Sequence, residues 1–115
     1  MFDFQKLEVY ALAKLMCKSF KDLIKASHFD RVTSDQLSRA SFSIMLNIAE
    51  GSSRFTNKDR KHFLIMARGS AFGCAAIIEY LMETGEITKD TFKEYFGKLE
   101  EISKMLFALI RRLDR

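Results

Sequence analysis

Hydrophobic residues recur at steps of three and four along most of this chain, a spacing typical of amphipathic helices. The clearest stripe lies near the carboxyl end, and it comprises Phe92, Tyr95, Leu99, Ile102, Leu106, Ile110 and Leu113. Thr88 stands directly before this stripe and is a good N-cap residue. The pattern predicts a helix over residues 89–113 with one apolar face.

A second helix-like pattern occupies residues 5–24 and carries two apolar stripes. One stripe consists of Val9, Leu12, Met16, Phe20 and Leu23, and the other, almost opposite, of Phe4, Leu7, Ala11 and Leu15. A bundle core needs only one apolar face. We therefore predict that the stripe of Phe4, Leu7, Ala11 and Leu15, called the α1 stripe below, contacts another copy of the chain.

Two further helices are predicted between these. Thr33 or Ser34 can cap the first, which runs to about Glu50 and is expected to stop at Gly51-Ser52-Ser53, an exit led by glycine. Asn57 or Thr56 can cap the next, which reaches about residue 84, before Gly85 ends it.

The composition supports helices and gives no support to strands. The chain of 115 residues has no proline, only 5 glycines and 48% hydrophobic residues. A chain of this length fits one domain, residues 1–115. Because short connections between long helices favour antiparallel neighbours, we predict an all-α fold, an antiparallel up-down-up-down four-helix bundle.

The predicted second helix carries a narrow polar stripe between two apolar flanks. Its members are Gln36, Arg39, Ser43, Asn47 and Glu50. A solvated face would be wider and richer in lysine, so at least part of this stripe should be buried. It forms either a structural polar network that fixes helix register or a ligand or nucleic-acid site.

Small residues recur in the predicted third helix at Gly69, Gly73 and Ala76. Each interior glycine disfavours a helix by about 1 kcal/mol relative to alanine. The pattern predicts either that another helix packs closely here or that the helix merely tolerates the small residues.

Basic residues are concentrated where the third helix begins. The formal net charge is +4. The excess of positive charge is densest in residues 54–68, where Asp59 is the only acid and the basic residues are Arg54, Lys58, Arg60, Lys61 and Arg68. Helix starts and clustered cations suit phosphate groups, and Phe55 could stack on a base. Read alone, the segment is either an ordinary solvated turn or a phosphate-binding surface.

Several other functional classes find no support. His28 and His62 are the only histidines and are interpreted as solvated, and no nucleophile elbow or phosphate-binding glycine loop occurs. We expect no enzymatic activity, no cofactor and no metal. Cys17 and Cys74 stand alone and are predicted to be reduced core thiols.

Neither a secretory signal nor a membrane span is predicted. The first residues lack a basic segment followed by an apolar one. Residues 63–82 are the most apolar stretch but contain Arg68 and Glu79, which argues for a buried helix instead. These features predict a cytoplasmic protein.

Three segments carry a family resemblance: QLSRASFSIMLNIAEGSSR at residues 36–54, FQKLEVY at residues 4–10 and ARGSA at residues 67–71. Together they resemble the four-helix-bundle proteins encoded by intervening sequences in bacterial 23S ribosomal RNA genes. The accessory variability proteins of diversity-generating retroelements are similar to the same broad family. One departure is Gly73, where such proteins commonly have a glutamate able to pair with helix two.

The resemblance implies a homo-oligomeric ring, typically a pentamer. The accessory proteins are similar to basic scaffolds that bind nucleic acid and work with a reverse transcriptase. Our leading hypothesis is a non-catalytic ring-forming bundle that binds RNA or DNA through Arg54, Lys58, Arg60, Lys61 and Arg68, without sequence readout. The alternative hypothesis is a protein-interaction scaffold that oligomerises and binds a partner protein without touching nucleic acid.

Overall fold

A computed structural model describes residues 2–114 of the chain. A short 3₁₀ turn, Asp3–Lys6, precedes four helices: α1 (Glu8–Ala26), α2 (Arg31–Ser52), α3 (Asn57–Glu83) and α4 (Lys89–Leu113). Each helix packs on the next one along the chain, and α4 closes the bundle against α1. The all-α antiparallel bundle predicted from periodicity is therefore confirmed.

One hydrophobic core runs between the four helices, in a molecule of 44 × 23 × 21 Å. Each helix contributes apolar side chains to this core; Phe20 of α1, Ile44 of α2, Ile78 of α3 and Leu106 of α4 are all fully buried. The predicted stripe of α4 points inward throughout, with Leu99, Ile102 and Leu106 at its buried centre.

Side-chain oxygens fix where three helices begin. Thr56 accepts a hydrogen bond from the backbone N–H of Asp59, and Thr88 accepts one from Thr91. Thr88 is the cap predicted for α4, and Thr56 is the second of the two candidates for α3, after Asn57. The start of α2 was predicted wrongly, because Asp30, rather than Thr33 or Ser34, is the N-cap residue, and its carboxylate accepts from the Thr33 N–H at 2.7 Å.

The first helix also begins later than predicted. Leu7 has extended backbone angles, φ −79° and ψ 124°, and it separates the 3₁₀ turn from α1. Phe4 and Leu7 therefore lie before the regular helix, and only Ala11 and Leu15 of the α1 stripe lie on it. At its other end α1 continues two residues past the predicted Ile24, to Ala26.

Two glycines were both expected to end helices, and they behave differently. Gly85 has φ +77°, a conformation that glycine adopts easily, and the N–H groups of Gly85 and Glu86 bond back to the carbonyls of Met82 and Leu81. That end is confirmed. Gly51 instead lies buried inside α2, which ends at Ser52; the end falls within the predicted exit Gly51-Ser52-Ser53, but glycine does not form it.

Helix α3 is long and apolar enough to cross a membrane by length and composition alone. In this structure it packs between α2 and α4, as a bundle helix does. Only 33% of its most apolar window is buried, so the expectation of a buried helix holds for one face and not for the rest.

Candidate nucleic-acid interface

The turn between α2 and α3 is held by a close helix approach. A Cβ atom on Gly51 would lie 3.0 Å from the Cβ of Phe63 and 3.4 Å from the carbonyl oxygen of Arg60. Only glycine leaves room for this contact. It brings the first turn of α3, with Arg60, against the end of α2.

Two arginines then close the turn over this contact. The Arg60 Nε donates to the carbonyl oxygen of Arg54 at 2.7 Å, and the Arg54 guanidinium lies 4.3 Å from the centre of the Phe63 ring. Stacking on an aromatic face leaves the edge of a guanidinium free to donate to an anion. These contacts therefore hold the side chains of Arg54 and Arg60 in defined positions on the turn.

The other predicted basic residues of the turn differ in availability. Lys58 is exposed, as is Phe55, whose side chain is 98% exposed. Lys61 instead forms an ion pair with Asp114 at 2.7 Å, which links α3 to the end of α4 and neutralises much of its charge. Lys58 is thus the more available lysine.

Arg68 does not join this group. It lies two turns further along α3, with its guanidinium 4.7 Å from the ring centre of Phe72 and 5.5 Å from that of Phe107. Its Nε is buried without a hydrogen-bond partner within residues 2–114. Arg68 packs on aromatic rings between α3 and α4 and does not extend the basic turn.

The bundle adds two basic residues that we did not predict from the sequence, Arg111 and Arg112 in the last turn of α4. Arg112 and Arg60 line one cavity of about 350 Å³ at this end of the molecule. Asp3 is the only acid in the lining, and it forms no ion pair with either arginine in the part of the chain described here. The antiparallel topology could have indicated this meeting, since it places the last turn of α4 beside the first turn of α3.

These residues define a surface that we call the basic end, comprising Arg54, Lys58, Arg60, Arg111 and Arg112. None of them is in an ion pair within residues 2–114. Around the α2–α3 turn and the two chain ends, basic residues outnumber acidic ones, whereas acids outnumber bases at the opposite end, which holds Asp22, Asp30, Glu83, Glu86 and Asp90. The basic end is therefore the more favourable of the two ends for an anion.

The polar stripe of α2 forms a smaller network than predicted. The Asn47 side-chain amide donates to the carbonyl and hydroxyl oxygens of Ser43, both at 2.9 Å, and the Ser43 hydroxyl lies 2.9 Å from the hydroxyl of Ser70 on α3. The network fixes α2 against α3, and its partner Ser70 was missed. The side chains of Gln36, Arg39 and Glu50 are exposed and make no hydrogen bond in the described residues.

The α1 stripe extends from half-buried to exposed positions. Leu7 packs against the edge of the core, whereas Ala11 is exposed and Leu15 is 57% exposed. The stripe continues from the 3₁₀ turn onto the outer surface of α1. Its role in oligomerisation stays a prediction.

The thiols lie apart from the basic end. Cys74 is fully buried, and burial raises the pKa of its thiol to about 12. Cys17 is half-buried, with its sulfur 4.0 Å from the Ser41 hydroxyl. No group of three histidine, cysteine, aspartate or glutamate side chains in the described residues is arranged to hold a metal ion.

The fold and its surfaces define the class: a small antiparallel four-helix bundle with a basic end and an exposed apolar exterior. The chain belongs to the family described as 23S rRNA-intervening sequence protein, whose model matches residues 5–108. A similar solved structure is a protein of unknown function from the S23 ribosomal protein family of Bacteroides thetaiotaomicron. It is 25% identical, aligns with 89% of this chain and 97% of its own, and superposes with a TM-score of 0.85.

A comparison with curated proteins finds no match. The family description and the neighbour's name state no catalytic activity.

Proposed function

We propose that this protein is a non-catalytic, ring-forming bundle that binds RNA or DNA by its phosphates through the basic end. The observation that carries the proposal is the meeting of Arg60 and Arg112, from two different helices, at one cavity, with no carboxylate of residues 2–114 paired to either. Guanidinium groups bind phosphate oxygens bidentately, so two of them at one site suit a phosphate backbone.

The geometry favours backbone contact over reading of the bases. The basic end presents side chains from a turn and two helix termini, and no helix projects from it to enter a groove. Phe55 is the one fully exposed aromatic ring beside Arg54, where it could stack on an unpaired base. We therefore expect little sequence preference and a preference for single strands over duplex.

Self-association strengthens this proposal, because several copies of a weak phosphate site act together. We propose that the α1 stripe of Phe4, Leu7, Ala11 and Leu15 makes the ring contact. The family resemblance makes a pentamer the expected ring.

The test is a titration of fluorescent RNA and DNA oligonucleotides at low and physiological salt. We compare the wild type with an R60E/R112E double variant and, as a matched control, with K89E/K93E at the opposite end. The control makes the same charge change at exposed residues. We expect the basic-end variant to weaken binding by at least about tenfold and the control to change it little.

Binding should also fall with salt, with log K losing roughly 0.7 to 0.9 per neutralised phosphate for each tenfold rise in salt. Equal losses in the two variants, or binding independent of salt, would contradict a site at the basic end. Absence of binding by an intact oligomer at low salt would reject nucleic-acid binding altogether.

A second candidate function, a scaffold for a partner protein, is favoured by exposed apolar side chains beside the polar network. Phe42 and Leu46 of α2 are 49% and 39% exposed, and with Arg39, Asn47 and Glu50 they border a shallow groove of about 260 Å³. The resemblance to accessory variability proteins makes a reverse transcriptase the partner to test. F42D/L46D should abolish such binding and leave nucleic-acid affinity unchanged.

A further inference from the structure

The outer face of α3 carries a second periodic pattern that the bundle does not use. Its residues recur at alternating steps of four and three, which is the heptad spacing of a coiled-coil interface. All eight are exposed. We call this line the α3 seam; it comprises Lys58, His62, Ile65, Gly69, Phe72, Ala76, Glu79 and Glu83.

The two glycines on this face of α3 have no close neighbour among residues 2–114. A Cβ atom on Gly69 or on Gly73 beside it would meet nothing within 4 Å. The close helix approach predicted from Gly69, Gly73 and Ala76 is therefore wrong for the bundle itself. Two interior glycines leave the outer face of α3 free of side-chain bulk, which suits a close approach by a second helix although each disfavours the helix by about 1 kcal/mol.

The exposed centre of the seam is apolar. Ile65 is 50% exposed and Phe72 is 55% exposed, and Met66 and Tyr80 beside them are 37% and 59% exposed. A contiguous apolar strip on a soluble helix marks an interaction surface.

The charges at the two ends of the seam are opposite. Lys58 and His62 lie at its start, and Glu79 and Glu83 lie at its end. A parallel pair of seams would place like charges together. An antiparallel pair places the basic start of each helix against the acidic end of the other.

We propose that α3 pairs antiparallel with α3 of a second copy of this chain, about a two-fold axis between Ser70 and Ala71. That register brings four kinds of pair together, each occurring twice: Lys58 with Glu83, His62 with Glu79, Ile65 with Ala76 and Gly69 with Phe72. Each large apolar side chain then meets a small residue, as knobs-into-holes packing requires. The contact is isologous, so one surface serves both copies.

A bilayer is a poorer occupant for this surface. The exposed apolar centre spans residues 65–76, about 18 Å at 1.5 Å per residue, whereas a hydrocarbon core is about 30 Å thick. Charged residues close both ends of the strip. A second copy matches its length and its charges together.

The inference is independent of nucleic-acid binding and of the ring. An isologous contact closes at two copies, so in a ring of five it would join one ring to another. Whether the particle is a pair of chains or a pair of rings, losing the contact halves its mass.

The first test is the mass in solution by light scattering over a range of concentrations. We expect Ile65→Asp to halve the mass, with helicity retained because Ile65 is not in the core. Unchanged mass in this variant would overturn the proposal. Monomeric wild type that sediments with anionic vesicles would overturn it in favour of a membrane surface.

Charge exchange tests the direction of pairing. Lys58→Glu should weaken the association by about tenfold, because it places glutamate opposite Glu83 twice in each pair. The double variant K58E/E83K restores opposite charges only when the helices are antiparallel, so it should recover the wild-type mass. If Lys58→Glu dissociates and K58E/E83K does not regain the wild-type mass, this register is rejected.

Cross-linking tests the register directly. In a Cys17→Ser background, an I65C/A76C variant should form two disulfides per pair under mild oxidation. The single variants I65C and A76C are controls that should not cross-link, because each cysteine then lies about 16 Å from its own copy. Cross-linking of the single variants would indicate a parallel pair and overturn the antiparallel one.

Discussion

Gly51 of α2 and Phe63 of α3 are in contact so close that a Cβ atom on the glycine would lie 3.0 Å from the Cβ of the phenylalanine. Both atoms are tied directly to backbone, so neither can rotate away. The contact sets how near the two helices come at their shared turn. It thereby sets the position of Arg60, whose carbonyl oxygen faces the same glycine.

Replacing Gly51 with alanine should destabilise the protein by about 1 kcal/mol. Alanine gains roughly 1 kcal/mol of helix propensity, but the added methyl group overpacks the contact at a cost of about 1 to 3 kcal/mol. Urea unfolding followed by circular dichroism measures the change.

Gly97→Ala is the matched control for this substitution. Gly97 also lies inside a helix, and an added Cβ there meets nothing within 4 Å. It should stabilise the protein by up to about 1 kcal/mol. If both variants gain stability alike, the close approach at Gly51 does not constrain the fold.

The N-cap of α2 predicts a pH dependence of stability. The hydrogen bonds from the backbone and side chain of Thr33 lower the pKa of Asp30 below its ordinary 3.8. A lowered folded-state pKa gives stability that is present above pH 3.8 and lost as the pH falls through the folded pKa. Asp30→Ala should therefore lower the Tm at pH 7, and the difference from wild type should shrink at lower pH.

Asp30→Asn separates the charge from the cap. Asparagine keeps the capping oxygen and does not titrate, so this variant should retain more of the Tm at pH 7 than alanine does. A gap between Asp30→Ala and wild type that is constant down to pH 2 would show that the carboxylate is not what stabilises the helix start.

A single side-chain hydrogen bond joins α4 to α1 in the described chain, from the Tyr95 hydroxyl to the carbonyl oxygen of Ser19 at 2.9 Å. Burial raises the pKa of Tyr95, so the phenol keeps its donor proton throughout the neutral range. Tyr95→Phe should destabilise the protein by about 1 kcal/mol, the usual loss for such a bond. Tyr80→Phe, which alters an exposed hydroxyl, should change stability by less than about 0.5 kcal/mol. Equal unfolding midpoints for the two variants would contradict this.

The helices and their inward faces could be predicted from the sequence because local spacing carries that information. Thr88 and Gly85 act through neighbours within a few residues, and the apolar stripe of α4 is regular throughout. Asp30 was missed because three candidate caps lie within five residues, and the choice among Asp30, Thr33 and Ser34 depends on where the loop leaves α1.

The surfaces were harder to predict because they depend on residues far apart in the chain. Arg112 meets Arg60 only after α4 has folded back beside α3, and Ser70 meets Ser43 only across two helices. Charge density near Arg54 indicated that basic residues would cluster at the α2–α3 turn. It could not show that Asp114 would pair with Lys61 or that Arg68 would pack on rings.

The α1 stripe yields the prediction that separates the two proposed self-contacts. Leu15 is the larger of the two exposed members of the stripe on the regular part of α1, so Leu15→Lys should break the ring with little loss of helicity. Leu7 is less suitable for this test, because it also packs against the core. Val32→Lys, at a 72% exposed position on the first turn of α2, is the control and should leave the mass unchanged.

If the α3 seam is intact in Leu15→Lys, the remaining particle should be a pair of chains, and adding Ile65→Asp should reduce it to one chain. A Leu15→Lys variant that keeps the full wild-type mass would assign this stripe to solvent and leave the α3 seam as the contact between copies.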